Sequence, residues 1–289
     1  MRALLVGWQR AERLDADRVV AALYNESGAL LEIEGPCPGG QVGAAYVRWS
    51  DGRRSVLKWR PNVSLAAFNV GPVAIVDALR SVGYPAPAFE LAVQLGDAVV
   101  AVQELMPGAK IDRFDTSFLD QALVLNRLQG RALADHPDAP VAPLYLRADG
   151  PGFCLHEPLR QFNQRTAALE RRISALDVEH LSGDDAMHLD FHPGNMLAFD
   201  GTITGVIDWD GGGRGDRRFD LVVLRFGLES EPSTPEAIAR LDAMLDTFPD
   251  DVLVPVWAHM SLRMIDWAIR HFTSADVEKW VDVAEQRLP

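Results

Sequence analysis

His188-Leu189-Asp190-Phe191-His192-Pro193-Gly194-Asn195, followed closely by Thr202-Ile203-Thr204-Gly205-Val206-Ile207-Asp208-Trp209-Asp210, decides the reading of this chain. Asp208 follows Asn195 by thirteen residues. A carboxylate on a tight loop, Asp190, can orient and deprotonate a hydroxyl group. An amide and a second carboxylate, Asn195 and Asp208, offer the oxygen ligands that a hard cation such as Mg²⁺ favours. Pro193-Gly194 shapes the turn that presents Asn195, and Val206-Ile207 reads as the apolar strand end that carries Asp208.

The ordered set H-x-D-x-H-P-G-N-x-L at 188–197, G-V-I-D-W-D at 205–210, Gly215-Asp216 and Phe219-Asp220-Leu221 resembles the aminoglycoside phosphotransferase family. That family belongs to the wider choline-kinase and protein-kinase-like group. The likeness is dense over 188–224 and weaker over 30–108. It finds little motif support over 111–187 or in the C-terminal region. The resemblance implies an α+β, bilobal, protein-kinase-like fold: a β-rich small lobe with one helix over 1–104, a hinge over 105–110, and a larger, mainly helical lobe over 111–289. It also implies transfer of a phosphoryl group from ATP or GTP, with Mg²⁺, to a hydroxyl.

The resemblance assigns roles residue by residue. Asp190 is the catalytic base, and Asn195 and Asp208 are the metal ligands. Lys58, in Ser55-Val56-Leu57-Lys58-Trp59, matches the strand lysine that holds nucleotide phosphates. Gly35-Pro36-Cys37-Pro38-Gly39-Gly40-Gln41-Val42-Gly43 is a loop in which Gly39 and Gly40 would bring backbone close to phosphates, although its spacing differs from the protein-kinase pattern. Glu104-Leu105-Met106-Pro107-Gly108 looks like the inter-lobe linker, so Glu104 and Met106 are expected at the adenine. One family feature is missing. The glutamate that pairs with the strand lysine should fall near Pro72, Val73 or Ala74, and none is there. Asp77, about a turn late, substitutes for it, or Lys58 is held by phosphates alone.

Composition narrows the class. The 289 residues are 48% hydrophobic and 24% charged, which fits a folded globular chain. The longest apolar runs, such as Val252–Met260, are too short to span a membrane, and Arg10, Glu12 and Arg13 follow the N-terminus too soon for a signal peptide. A cytoplasmic location is expected. Cys37 and Cys154 form no disulfide framework and no metal motif. The net charge of −13 argues against a nucleic-acid partner and permits a cationic substrate. Only three of the 28 basic residues are lysines, which makes Lys58 at a strand end more specific.

Periodicity predicts strands over 29–34, 43–49 and 54–59, the last two joined at Ser50-Asp51-Gly52. It predicts a helix over 64–82, a strand pair over 89–95 and 98–103, and a hairpin over 197–199 and 203–207. Helices are expected over 118–133, 160–176, 217–228, 235–247, 252–272 and 274–287. His188 and His192 are expected to shape the loop, Trp209 to pack, and Asp216 and Asp220 to tie the loop to the next helix. Asp210 reads as a solvated loop acid, with a second metal contact as the alternative. Asp266, Glu229 and Glu231 are candidate contacts for a cationic substrate.

The leading expectation is phosphorylation of a cationic small molecule, an aminoglycoside or basic peptide antibiotic, giving resistance. A metabolic kinase of the same fold, acting on choline, homoserine or a sugar, is the alternative. A nucleotide-binding pseudokinase and a hydrolase using His188, Asp190 and His192 as metal ligands are further readings. The protein is expected as a monomer or homodimer.

Overall fold

The structure is a computed structural model that describes residues 13–38, 42–152 and 154–288. The chain first forms α1 (Ala16–Ser27), which periodicity did not single out. Its caps are nonetheless in the sequence: the Asp15 carboxylate accepts the Arg18 N–H, and Gly28 closes the helix with φ 73°. Three antiparallel strands come next, β1 (Leu31–Pro36), β2 (Ala44–Trp49) and β3 (Arg54–Pro61).

The helix predicted over 64–82 forms as three pieces: α2 (Leu65–Phe68), a π-helical turn Asn69–Val73, and α3 (Ala74–Ser81). Pro72 has no N–H for the α-helical ladder, and the wider turn accommodates it. Then β4 (Phe89–Leu95) and β5 (Ala98–Glu104) complete a sheet of order β1-β2-β3-β5-β4. Strand alternation sorts β3. Leu57 and Trp59 join Val19 and Leu23 of α1 and Val100 and Val102 of β5 in one core. Lys58 and Arg60 point to the opposite face, towards the rest of the molecule.

The linker is pinned to the larger body. β6 (Ala109–Lys110) pairs with the later strand Met196–Phe199, and the Thr204 hydroxyl donates to the Pro107 carbonyl. A side-chain carbon at Gly108, which has φ 103°, would lie 2.6 Å from the Ala198 carbonyl oxygen. Next come α4 (Thr116–Leu128), α5 (His156–Phe162), α6 (Gln164–Ser174), β7 (Asp185–Met187), β8 (Met196–Phe199), β9 (Thr202–Val206) and β10 (Gly213–Gly215). The chain ends in α7 (Arg218–Ser230), α8 (Pro235–Leu245), α9 (Asp250–His271) and α10 (Ser274–Glu285). Two boundaries depart from the periodic reading. α4 stops before Gln129, and Arg131 then takes a left-handed conformation. The helix expected over 160–176 is split at Asn163, whose capping box starts α6.

The fold is thus α+β, with a five-stranded sheet and its helices set on a larger helical body. The main core runs continuously from α3 through α4, α7 and α9 to α10. No described helix is long and apolar enough to cross a membrane.

Candidate active site

Two short turns carry the acids of the motif. The first, His188–Asn195, leaves β7 with Leu189 in the left-handed region (φ 65°), a costly conformation for a leucine. Asp220, fully buried on α7, holds it there. Its carboxylate accepts N–H groups from His188 (2.7 Å) and Leu189 (2.9 Å) and the Gln129 side-chain amide (2.7 Å). Burial pushes the Asp220 carboxyl up to about 7, and the three donors oppose that rise. His188 joins the two turns. Its Nε2 donates to the Ile207 carbonyl (2.8 Å) and its Nδ1 accepts the Asp190 N–H (3.2 Å), while its ring packs on Trp209 at 4.4 Å. The His192 ring caps Gly194 N–H through Nδ1. Both imidazoles are therefore occupied within the loop, and no cluster of three metal-binding side chains occurs among the described residues.

Asp190 is fixed from both sides. The Arg263 guanidinium of α9 donates to Oδ1 at 2.7 Å and to the Leu189 carbonyl at 2.9 Å. The Asn195 amide nitrogen donates to Oδ2 (3.1 Å) and to the Asp190 carbonyl (2.9 Å). Burial alone would raise the Asp190 pKa, but Arg263 and the neighbouring histidines hold it well below the usual carboxylate range. No motif pointed to Arg263, which lies 73 residues further along the chain.

The second turn comes after β9. Asp208 is also left-handed (φ 71°), which turns its side chain back into the cleft. Lys58 Nζ lies 2.8 Å from Asp208 Oδ1 and 2.7 Å from Asp210 Oδ2. Asp210 is thus the partner of Lys58. It is not a solvated loop acid: its side chain is 3% exposed, against 48% for Asp208. Asp77 is exposed on the outer face of α3 and does not substitute for the missing glutamate. The turn Asn69–Val73, where that glutamate was expected, instead packs close to the Trp209–Gly211 turn, with Gly71 and Pro72 buried. Burial lowers the Lys58 pKa and Asp208 opposes it. Burial would raise Asp208, and Lys58 and Arg60 outweigh it to bring that carboxyl below its ordinary value.

A cavity of about 320 Å³ opens between the turns, and its walls include Arg60, Tyr145, Asp190, Asp208, His259 and Arg263. A family model described as the phosphotransferase enzyme family matches residues 36–250. The chain belongs to this family. It is a kinase-type phosphotransferase with an alcohol group as acceptor.

Solved structures share this phosphotransferase's fold at low identity. One is a thermostable mutant of aminoglycoside phosphotransferase APH(4)-Ia in complex with ADP and hygromycin B: 14% identical, TM-score 0.58, covering 93% of this chain and 97% of the other. Its apo form has TM-score 0.61 at 14% identity, with 93% and 98% covered. A putative fructosamine-3-kinase from Haemophilus somnus 129PT is 12% identical with TM-score 0.54, covering 94% and 97%. A sequence search of curated proteins finds no match.

The remaining site residues divide. Gly39 and Gly40 lie outside the described residues. Met106 packs beside Gly205 in the linker. The Glu104 side chain is committed to Arg80 (2.8 Å) and the Ala88 N–H (3.2 Å), and its own N–H donates to the Ala88 carbonyl (2.9 Å). The phosphotransferase does not bring its three candidate substrate acids to the cavity. Asp266 is fully buried, bound through both oxygens to Arg270 (2.9 and 2.7 Å), and accepts the Leu155 N–H. Glu229 is tied to Arg225 (3.3 Å) and Lys279 (3.0 Å). Glu231 is exposed beside the Pro193–Asn195 turn. None of the three is among the residues that line the cavity.

Proposed function

We propose that the protein is an ATP-dependent O-phosphotransferase that moves the terminal phosphoryl group of the nucleotide to a hydroxyl of a small molecule. The observation that carries this reading is the meeting of Lys58, Asp208 and Asp190 from β3 and two separate turns at one cleft. The donor set suits a metal–nucleotide pair. Asn195 spends its amide nitrogen on Asp190, which leaves its oxygen for a cation. Asp208 is half exposed, and Asp210 Oδ1 is buried with no hydrogen-bond partner among the described residues. Asn195 and Asp208 would hold Mg²⁺, Lys58 the phosphates, and the main chain of Glu104–Met106 the base. Bound Mg²⁺ supplies charge neutralisation at the phosphates.

Asp190 orients the acceptor hydroxyl and takes its proton. Its low proton affinity means that this proton moves late, once the oxygen has begun to bond to phosphorus. Arg263 and Asn195 keep the carboxylate aimed at the cavity, and burial keeps His259 neutral, its pKa lowered to about 3.

Fold likeness to the hygromycin B complex supports an antibiotic acceptor. The walls support a different class. Among the described residues they contain no carboxylate beyond the two that the chemistry uses. The volume is at the small end of ligand pockets. This favours a small, non-cationic hydroxylated acceptor and the metabolic-kinase reading. A coupled ADP-release assay over matched cationic, neutral and acidic hydroxyl compounds tests both. Acceptor-dependent ADP release that vanishes in Asp190→Asn supports the phosphotransferase reading, and release indifferent to that substitution sinks it. Best turnover on the cationic members would restore the antibiotic class.

A further inference from the structure

Arg60 is a charged residue at the cleft to which the phosphotransfer chemistry has so far given no role. It stands two residues beyond Lys58 on β3, so both side chains leave the same face of the strand, about 7 Å apart along it. Arg60 lines the cavity with Asp190, Asp208 and Arg263, whereas Lys58 does not. Arg60 therefore sits on the acceptor side of Asp208, and Lys58 on the far side. Its one described partner is Asp210, reached through Nε at 3.4 Å. The two terminal nitrogens of the guanidinium have no described hydrogen bond.

We propose that Arg60 is a second phosphate-reading residue, which binds the terminal, transferable phosphoryl group while Lys58 binds the inner phosphates. The inference rests on the phosphotransferase reading. In transfer, negative charge spreads over the equatorial oxygens of the moving group. That group must cross from the metal ligands at Asp208 to a hydroxyl at Asp190, and Arg60 borders that path. A planar two-nitrogen fork suits two phosphoryl oxygens. Asp210, by holding Lys58 and Nε of Arg60 together, sets the spacing between the two cations. Burial disfavours the charged guanidinium and Asp208 favours it, so an anion arriving beside it gains from a poorly solvated cation. An acidic group on the acceptor could supply the same oxygens. The position of Arg60 on the lysine's own strand, beside Asp208 and Asp210, favours the nucleotide.

Calorimetric titration with Mg·ADP and with Mg·AMP-PNP, which carries the terminal phosphoryl position, separates the sources. The parent should bind both. Arg60→Gln should weaken AMP-PNP about tenfold and leave ADP within about twofold, the scale of one charge-assisted contact. Arg60→Lys should fall between, since a point charge replaces a fork. Equal weakening of both nucleotides, or of neither, overturns the proposal; the second result would leave Arg60 to the acceptor or to Asp210 alone. If Arg60→Gln melts below the assay temperature, Arg60→Lys decides by the same ADP-to-AMP-PNP ratio. A parent that binds neither nucleotide sinks the phosphotransferase reading itself, an outcome distinct from a parent that binds both while the variants do not discriminate.

Discussion

Asp190, Asp208 and Asp210 sit on short turns, whereas Glu229 and Asp266 sit on the long helices α7 and α9. The turn acids reach the cleft, and their cations come from far along the chain: Arg263 for Asp190, and Lys58 for Asp208 and Asp210. The helix acids are each closed by an arginine one turn away on the same helix, Arg225 for Glu229 and Arg270 for Asp266. A carboxylate with an arginine four residues away on a helix has a partner ready before any ligand arrives. A carboxylate on a turn, with no local cation, waits for a distant group or a ligand.

Removing charge from each set should break different properties. The largest effect is expected from Asp266→Asn, which leaves Arg270 buried without its counter-charge. Loss of one partner of such a pair costs about 3–5 kcal/mol. Urea unfolding should register that loss while the KM values of the remaining folded enzyme stay put; a raised acceptor KM at full stability would return Asp266 to the cleft. Asp190→Asn should leave the melting temperature close to that of the parent and reduce kcat by roughly 10²-fold or more, the scale of a lost proton acceptor. Retention of near-parental kcat would remove Asp190 from the mechanism.

Asp210→Asn takes away the inner partner of Lys58. The KM for ATP should rise about tenfold, as for one charge-assisted hydrogen bond, and an unchanged value would make Asp208 sufficient alone. A further contrast comes from Glu170, a helix acid with partners on three sides: His156 (2.9 Å), Arg160 (2.8 Å) and Ser174 (2.7 Å). Burial would raise its pKa, but these hydrogen bonds hold it at about 2 instead of 4.5. A lowered carboxyl stabilises the fold above its ordinary pKa and loses that contribution as pH falls, here from about 4.5 towards about 2. Thermal melts across that window should lose about 1 kcal/mol more in the parent than in Glu170→Gln, after discounting for the solvent around Arg160; parallel curves would contradict the assignment. The smallest change belongs to Glu229→Gln, whose partly exposed pairs are worth less than about 1 kcal/mol, read by the same melts. A loss of several kcal/mol would mean that α7 depends on it.

The same contrast explains what the sequence made legible. The turns at 188–195 and 208–210 were readable because loop chemistry is written locally: Pro193-Gly194 and the run ending at Ile207 fix where the side chains emerge. The strands were readable from alternation. The Lys58–Asp210 contact was not, since 152 residues intervene and the small-lobe helix carries a nearer acid, Asp77. Arg263 was hidden for the same reason. Asp266 could have been placed correctly from Arg270 alone. The π turn at Asn69–Val73 had its signal in Pro72, which the apolar periodicity of 64–82 passed over.

The linker carries one more consequence. Met106 against Gly205, Pro107 bonded to Thr204, Gly108 under Ala198 and the pairing of β6 fix residues 106–110 to the β8–β9 hairpin. On the sheet side, the Glu104 N–H donates to the Ala88 carbonyl. The chain that can twist between the two bodies is therefore about one residue long, centred on Leu105. So short an element has two soft dihedrals, limited further by α3, which is packed into the core of the larger body. Its stiffness is set by backbone geometry, so that two residues inserted after Leu105 would detune the approach of Lys58 to Asp208 with every catalytic side chain left in place.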